Sequence, residues 1–165
     1  MMYVDTSIIV AALDPQDPRR EEAMSILERS EVKVVSELVL IELSSVLSRR
    51  GELVRAMAER LRVSEELTIL AMLTYILKRF GLKYVAMEGY LTMPSIGRVS
   101  MPFATAMELS SRLGLGALDL LHIAYVKLLK SMDEPIEVFV TADSNFIKAK
   151  RFLEDELNVS LRLIT

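Results

Sequence analysis

Four acidic residues stand where predicted strands end or predicted helices begin. Asp5 ends the first apolar strand, and Asp143 follows the last but one. Asp119 lies in the first turn of a helix, and Glu42 lies about one turn into another. Open α/β sheets bind ligands beyond the carboxyl ends of their strands, and the helices that follow strands begin at that same edge. We therefore expect the four carboxylates to meet at one edge of a sheet.

Clustered carboxylates favour a particular chemistry. Within about 4–6 Å they repel one another, so some must take up protons or the cluster must bind cations. Mg²⁺ and Mn²⁺ prefer oxygen ligands. Such an ion can generate hydroxide from water and stabilise charge on a phosphoryl oxygen, and a pair of ions about 3.5–4 Å apart does both in nucleases. The reaction that fits this pattern is metal-assisted phosphodiester hydrolysis.

Each of these residues also has an ordinary structural explanation. Asp5 can cap the helix that starts near Ser7, and Asp119 suits the dipole of its helix, an effect of about 0.3–1 kcal/mol. Glu42 can occupy an exposed stripe of its apolar helix. We interpret His122, one turn after Asp119, as a packing residue rather than as a catalytic base. The joint placement of the acids is harder to explain in this way than any one of them.

Composition narrows the possible classes. The chain has 165 residues, enough for one domain over 1–165, with 52% hydrophobic and 26% charged residues. It has no cysteine and one histidine, which excludes disulfides and a Cys/His zinc site. The net charge of −3 argues against a broadly basic nucleic-acid-binding surface. A local basic rim remains open, although each candidate taken alone is better explained as a solvated helix end: Arg49, Arg50, Lys148, Lys150 and Arg151.

We expect no membrane association. The longest uncharged apolar run, 67–77, is shorter than the roughly 20 residues needed to span a bilayer. No basic-then-apolar signal segment opens the sequence, because Asp5 interrupts it. A cytoplasmic location is the expectation that follows.

Short apolar strands alternate with helices along the chain. This alternation predicts an α/β fold with a parallel sheet and helices on both faces. The strands are predicted at 2–4, 32–35, 83–87, 136–140 and 159–164. The helices are predicted at 7–13, 19–29, 37–50, 52–62, 64–80, 102–113, 117–131 and 144–153. The segment 88–101 contains two glycines and one proline, and we interpret it as a mobile loop beside the site or as a contact for a partner.

The acidic segments resemble the four motifs of PIN domains. They are Val4–Ser7, Val39–Leu43, Ala117–Ala124 and Val140–Phe146. Their order and context are similar to those of the small VapC-type ribonuclease toxins of prokaryotic toxin–antitoxin pairs, over nearly the whole chain.

The resemblance implies a three-layer fold whose parallel sheet has the strand order 3-2-1-4-5. It also implies an Mg²⁺- or Mn²⁺-dependent endoribonuclease acting on RNA, a homodimer, and a small antitoxin partner. Ser7 and Thr141 match polar positions that support the site, and Asn145 stands where many relatives carry a further acid. The implied metal-binding and catalytic residues are Asp5, Glu42, Asp119 and Asp143.

Two other interpretations remain open. A receiver-like or phosphatase-like domain would use Asp5 as phosphoacceptor or nucleophile. The phosphatase version is weakened because Ser7, not an aspartate, stands two residues after Asp5, and neither version needs Glu42. A PIN-like fold that only binds RNA or a protein is the second alternative. Metal-dependent cleavage separates it from the enzyme, and loss of activity in Glu42→Gln excludes the receiver-like interpretation.

Overall fold

The computed structural model describes residues 1–165, and its centre is a five-stranded parallel sheet. In chain order the strands are β1 Met2–Val4, β2 Lys33–Ser36, β3 Leu82–Val85, β4 Tyr90–Met93, β5 Gly97–Ser100, β6 Val138–Thr141 and β7 Ser160–Leu163. The sheet has the order β3-β2-β1-β6-β7, with every pair parallel. Strands β4 and β5 form a separate antiparallel hairpin.

Seven α-helices connect and cover these strands. None of them combines the length and the apolarity that crossing a bilayer requires. After β6 the chain forms a 3₁₀ helix, Ser144–Ala149, and then one π-helical turn, Phe152–Glu156. The α-helices are α1 Thr6–Leu13, α2 Arg20–Leu27, α3 Glu37–Ser48, α4 Gly51–Leu61, α5 Glu65–Arg79, α6 Met101–Leu113 and α7 Ala117–Ser131.

The predicted PIN-like fold is confirmed. With the hairpin strands left out of the count, the five strands of the sheet have the predicted order 3-2-1-4-5. The central strand β1 is fully buried because it has a strand on each side and helices on each face. Its side chains alternate, as a strand requires: Tyr3 packs into one core, and Met2 and Val4 pack into the other.

Two hydrophobic cores lie on opposite faces of the sheet. One is built mainly from α6, α7 and the chain after β6, with Ile123, Phe139 and Phe146 fully buried in it. The other is built from α1, α2, α3 and α5. Because the sheet is parallel, all its strands end at one edge, and the turns from β1 and β2 into α1 and α3 lie there.

The segment 88–101 is not a simple loop, contrary to prediction. It contains the hairpin of β4 and β5, whose strands are largely exposed and pack beside α6. The sequence signal was weak because an exposed hairpin has no buried face to impose alternation. Gly89 and Gly97 take positive φ values of 110° and 98°, so the glycines that suggested a loop instead serve the turns around the hairpin.

The predicted helix 144–153 is helical, but it is not a regular α-helix. The side chain of Asp143 accepts a hydrogen bond from the backbone N–H of Asn145 and caps a 3₁₀ helix rather than an α-helix. Phe146 and Ala149, three residues apart, are its buried positions. This spacing matches a 3₁₀ repeat as well as an α-helical one, so the sequence pattern did not separate the two.

Candidate active site

Asp5 lies at the carboxyl end of β1, where the central strand meets α1. It occupies the position before the helix, but its side chain makes no capping hydrogen bond, contrary to the ordinary explanation of this residue. Its Oδ2 instead accepts hydrogen bonds from the hydroxyls of Ser7 and Thr141, the latter at 2.7 Å. Asp5 is only 4% exposed. The fold therefore holds this carboxylate inward, at the edge of the sheet.

Ser7 and Thr141 join the ends of β1 and β6. Ser7 Oγ accepts a hydrogen bond from the backbone N–H of Ala142 at 2.9 Å. Thr141 Oγ1 accepts one from the backbone N–H of Asp143 at 3.0 Å. The two predicted supporting residues thus fix Asp5 relative to the segment that carries Asp143.

Glu42 points into the same site from α3. Its Oε2 accepts hydrogen bonds from Thr6 Oγ1 and from His122 Nε2, the latter at 3.1 Å. Burial raises the pKa of Glu42, but the hydrogen bond and charge of His122 and the hydroxyl of Thr6 outweigh it, so the pKa is lowered overall. Glu42 is therefore an ionised, inward-facing carboxylate and does not belong to an exposed stripe.

His122 is the site residue that the sequence interpretation missed. Its side chain is 2% exposed, and Nε2 lies 3.3 Å from Asp5 Oδ1 as well as beside Glu42. Burial lowers the pKa of His122, but the hydrogen bond to Glu42 and the charges of Asp5 and Glu42 outweigh it and raise the pKa. The available signal was its position three residues after Asp119, which places both on one face of α7.

Asp119 and Asp143 face the cleft from its other side. Asp119 accepts no hydrogen bond from the chain, and its pKa is raised by burial and by the negative charge of Asp143. Asp143 Oδ1 accepts the backbone N–H of Asn145 at 2.8 Å, which leaves Oδ2 without a protein donor. Asn145 contributes this backbone group, while its side chain is exposed and does not line the cleft.

The four acids and His122 line one cleft of about 440 Å³. Of the predicted basic rim, Arg49 alone lines it. Arg50 pairs with Asp14 at 3.1 Å, and Lys150 lies 4.0 Å from Glu154. The lining residues are Asp5, Thr6, Ser7, Val10, Leu38, Ile41, Glu42, Ser45, Val46, Arg49, Leu118, Asp119, His122, Asp143 and Phe146.

The donor atoms of the site suit a divalent cation. One ligand atom from each of Asp5, Glu42 and His122 lies within 4.8 Å of the others. The chain supplies donors to one oxygen of Glu42 and one of Asp143, and to neither oxygen of Asp119. Carboxylate oxygens without protein donors are the groups that Mg²⁺ and Mn²⁺ use.

A five-stranded parallel sheet with an acidic cleft at its carboxyl edge defines the class of this protein, an α/β protein with clustered carboxylates. The sequence comparison gives its family. The PIN domain model matches residues 2–84, half of the chain, and the chain belongs to the PIN domain family. No curated protein matches the sequence.

Solved structures with the same fold include two from toxin–antitoxin systems. The crystal structure of VapC20 of Mycobacterium tuberculosis, described as a sarcin-ricin loop cleaving toxin, has a TM-score of 0.58 and 18% identity. The alignment covers 90% of this chain and 95% of the VapC20 chain. The structure of VapBC2 of Rickettsia felis, bound to a DNA fragment from its promoter, has a TM-score of 0.55 and 19% identity. The alignment covers 99% of this chain and 98% of the matched chain of that structure.

Proposed function

We propose that this protein is a divalent-metal-dependent endoribonuclease and the toxin of a toxin–antitoxin pair. The observation that carries the proposal is the convergence of Asp5, Glu42, Asp119 and Asp143 on one cleft with oxygens that have no protein donor. Membership of the PIN family and the likeness of the fold to VapC toxins support it.

In this proposal the four carboxylates hold Mg²⁺ or Mn²⁺. When bound, the metal supplies an activated water and neutralises charge on the scissile phosphate. The chain contributes the rest: Ser7 and Thr141 orient Asp5, and Thr6 orients Glu42. Arg49, at the rim, is positioned to contact RNA phosphate.

The decisive experiment compares cleavage of RNA in Mn²⁺, in Mg²⁺ and in EDTA. Wild-type protein should cleave only with metal, and Asp5→Asn should lose activity because a metal-binding oxygen becomes an amide. Asp155→Asn is the matched control, since Asp155 is exposed and outside the cleft. Metal-independent cleavage, or equal loss in both variants, would contradict the proposal.

A protein that only binds RNA or a partner is the competing interpretation. It predicts binding without cleavage in any metal, with wild-type protein folded and free of antitoxin. The receiver-like interpretation loses support from the PIN family match and from the 4% exposure of Asp5. Glu42→Gln tests it directly, because a receiver-like domain would tolerate this change and the proposed nuclease would not.

An apolar groove beside the cleft is the proposed seat of the antitoxin. It has about 440 Å³ and lies among α1, α3, α4 and α5. Val10 and Val46 line both the groove and the acidic cleft, so a segment bound in one adjoins the other. The groove is lined by Val10, Leu13, Leu43, Val46, Leu47, Arg50, Leu53, Met57, Ala71, Met72, Tyr75 and Ile76.

The groove fits the apolar face of a partner helix. We expect the proposed antitoxin to inhibit cleavage by the wild type and to inhibit Met57→Lys much less. Ile147→Lys, on an exposed apolar residue outside the groove, should stay inhibited. Equal inhibition of both variants would place the antitoxin elsewhere. Light scattering of the free protein tests the proposed homodimer.

A further inference from the structure

His122 occupies an unusual place within the acidic cleft. It is the single histidine of the chain, 2% exposed, and its Nε2 faces a carboxylate oxygen of Glu42 at 3.1 Å and one of Asp5 at 3.3 Å. Nε2 is hydrogen-bonded to Glu42 and lies within ion-pair distance of Asp5. The imidazole thus contacts both carboxylates at once.

No other side chain links Asp5 with Glu42 in this way. The hydroxyls of Ser7 and Thr141 bind Asp5, and the hydroxyl of Thr6 binds Glu42. None of these hydroxyls contacts both carboxylates. The side chain that contacts both the acid on β1 and the acid on α3 therefore belongs to α7.

The far side of the imidazole is fixed as well. Its Nδ1 lies 3.0 Å from the hydroxyl of Tyr3, and that hydroxyl lies 2.7 Å from Ser36 Oγ at the end of β2. The rings of Tyr3 and Phe146 pack edge-on against the imidazole, with centroids 6.0 Å away. A continuous chain of polar groups, Ser36–Tyr3–His122, runs from the core to the two acids. We call it the buried relay.

We propose that His122 is a positioning residue that holds Asp5 and Glu42 at the spacing that the metal requires, with Tyr3 fixing its ring. The inference rests on the proposed metal-dependent function. Although Nε2 lies close enough to the two carboxylates to share a cation with them, His122 acts in this proposal through Asp5 and Glu42 and not as a ligand, because Nε2 is hydrogen-bonded to Glu42. Partners of this kind behind metal ligands change metal affinity or activity by roughly 10–100-fold when they are removed.

The test measures Mn²⁺ affinity by titration of the protein without RNA, in four variants beside the wild type. His122→Leu should weaken Mn²⁺ binding by roughly 10–100-fold. His122→Gln should recover part of that loss, because its amide nitrogen reaches the place of Nε2. Tyr3→Phe should weaken binding less than His122→Leu, since the imidazole stays and only its support is lost.

Tyr125→Phe is the matched control. It removes a tyrosine hydroxyl from the same helix as His122, one that donates to Glu37 at 2.8 Å outside the acidic cleft. Its Mn²⁺ affinity should equal that of the wild type. The proposal is overturned if Tyr3→Phe and Tyr125→Phe have the same Mn²⁺ affinity. It is also overturned if His122→Gln and His122→Leu have the same Mn²⁺ affinity.

Two further readouts separate this inference from its neighbours. Nitrogen coupling from a bound imidazole in the Mn²⁺ electron spin resonance spectrum would make His122 a ligand and overturn the positioning role. Wild-type protein that binds Mn²⁺ but cleaves no RNA would refute the proposed function, while the affinity series still decides the role of His122. Absence of any Mn²⁺ binding by the wild type would overturn both.

Discussion

Asp119→Asn gives the sharpest test of whether the acidic cleft is a functional site or a structural feature. Asp119 lies in the first turn of α7, where a negative charge stabilises a helix by about 0.3–1 kcal/mol. On that ground alone the substitution would destabilise the protein. Asp119 also accepts no hydrogen bond, and burial and the charge of Asp143 raise its pKa. We therefore expect the opposite sign.

The sign follows from the pKa. A carboxyl whose pKa is raised by folding destabilises the fold when it is ionised, and this penalty disappears as the pH falls through the raised value. Asparagine removes the penalty at neutral pH. Screening by solvent keeps this gain small, because Asp119 is only partly buried. In EDTA, Tm should therefore rise slightly.

Metal should reverse the order. At a hundredfold excess over Kd, a bound ion stabilises the wild type by about 2.7 kcal/mol, which raises Tm by about 5–10 °C. If the variant binds a hundredfold more weakly, the same metal concentration stabilises it by only about 0.4 kcal/mol. Asp119→Asn should thus have a higher Tm than the wild type in EDTA and a lower Tm than the wild type in Mn²⁺.

The matched control is Glu21→Gln, which removes an exposed acid from the first turn of α2. It should lose a little stability in EDTA and gain as much from Mn²⁺ as the wild type. Our reasoning would be refuted if Asp119→Asn were less stable than the wild type in EDTA, or if it gained the same Tm increment from Mn²⁺.

Three further predictions concern the fold and the rim of the cleft. Arg19 holds the pKa of Asp17 at about 2, so Asp17→Asn should destabilise the protein above pH 3.8, and the difference in urea denaturation should shrink as the pH falls towards 2. Phe139→Ala, which removes a fully buried ring at 4.8 Å from that of Phe146, should lower the free energy of unfolding by about 3–5 kcal/mol in the same assay. In protein that already carries Asp119→Asn, the further change Arg49→Gln should weaken RNA binding. It should also lower the slope of log K against log salt by about 1. An unchanged slope would show that Arg49 does not contact phosphate.

The fold could be predicted because its main elements have strong local signals. Strand β1 is an uninterrupted apolar run, and α7 is a long, mostly apolar segment that buries nine of its fifteen residues. The hairpin of β4 and β5 lacked such a signal, since its strands face solvent on most positions. The helix after β6 was predicted but its 3₁₀ geometry was not, because the spacing of its buried residues fits both helix types.

The site was predictable in part for a different reason. The ends of parallel strands must share an edge, so Asp5 and Asp143 could be placed together from the sequence alone. Glu42 could be assigned to the same edge, but its inward direction and the place of His122 could not be predicted, because the direction of a helical side chain depends on how the helix packs. The orientation of α3 turns Glu42 inward, and that of α7 brings His122 between two carboxylates. Such contacts between distant elements leave no mark in local sequence.

His122 also explains how the fold tolerates its own cleft. Buried carboxylates without a counter-ion would destabilise the protein, and the ordinary solution is to pair each one with a cation. Here one imidazole faces two carboxylates, while Asp119 and the free oxygen of Asp143 have no such partner. The fold thus compensates the charges of Asp5 and Glu42, which face His122, and leaves those of Asp119 and Asp143 without a partner. A second buried cation beside Asp119 would stabilise the fold and close the site to metal, so the remaining repulsion is what the proposed function requires.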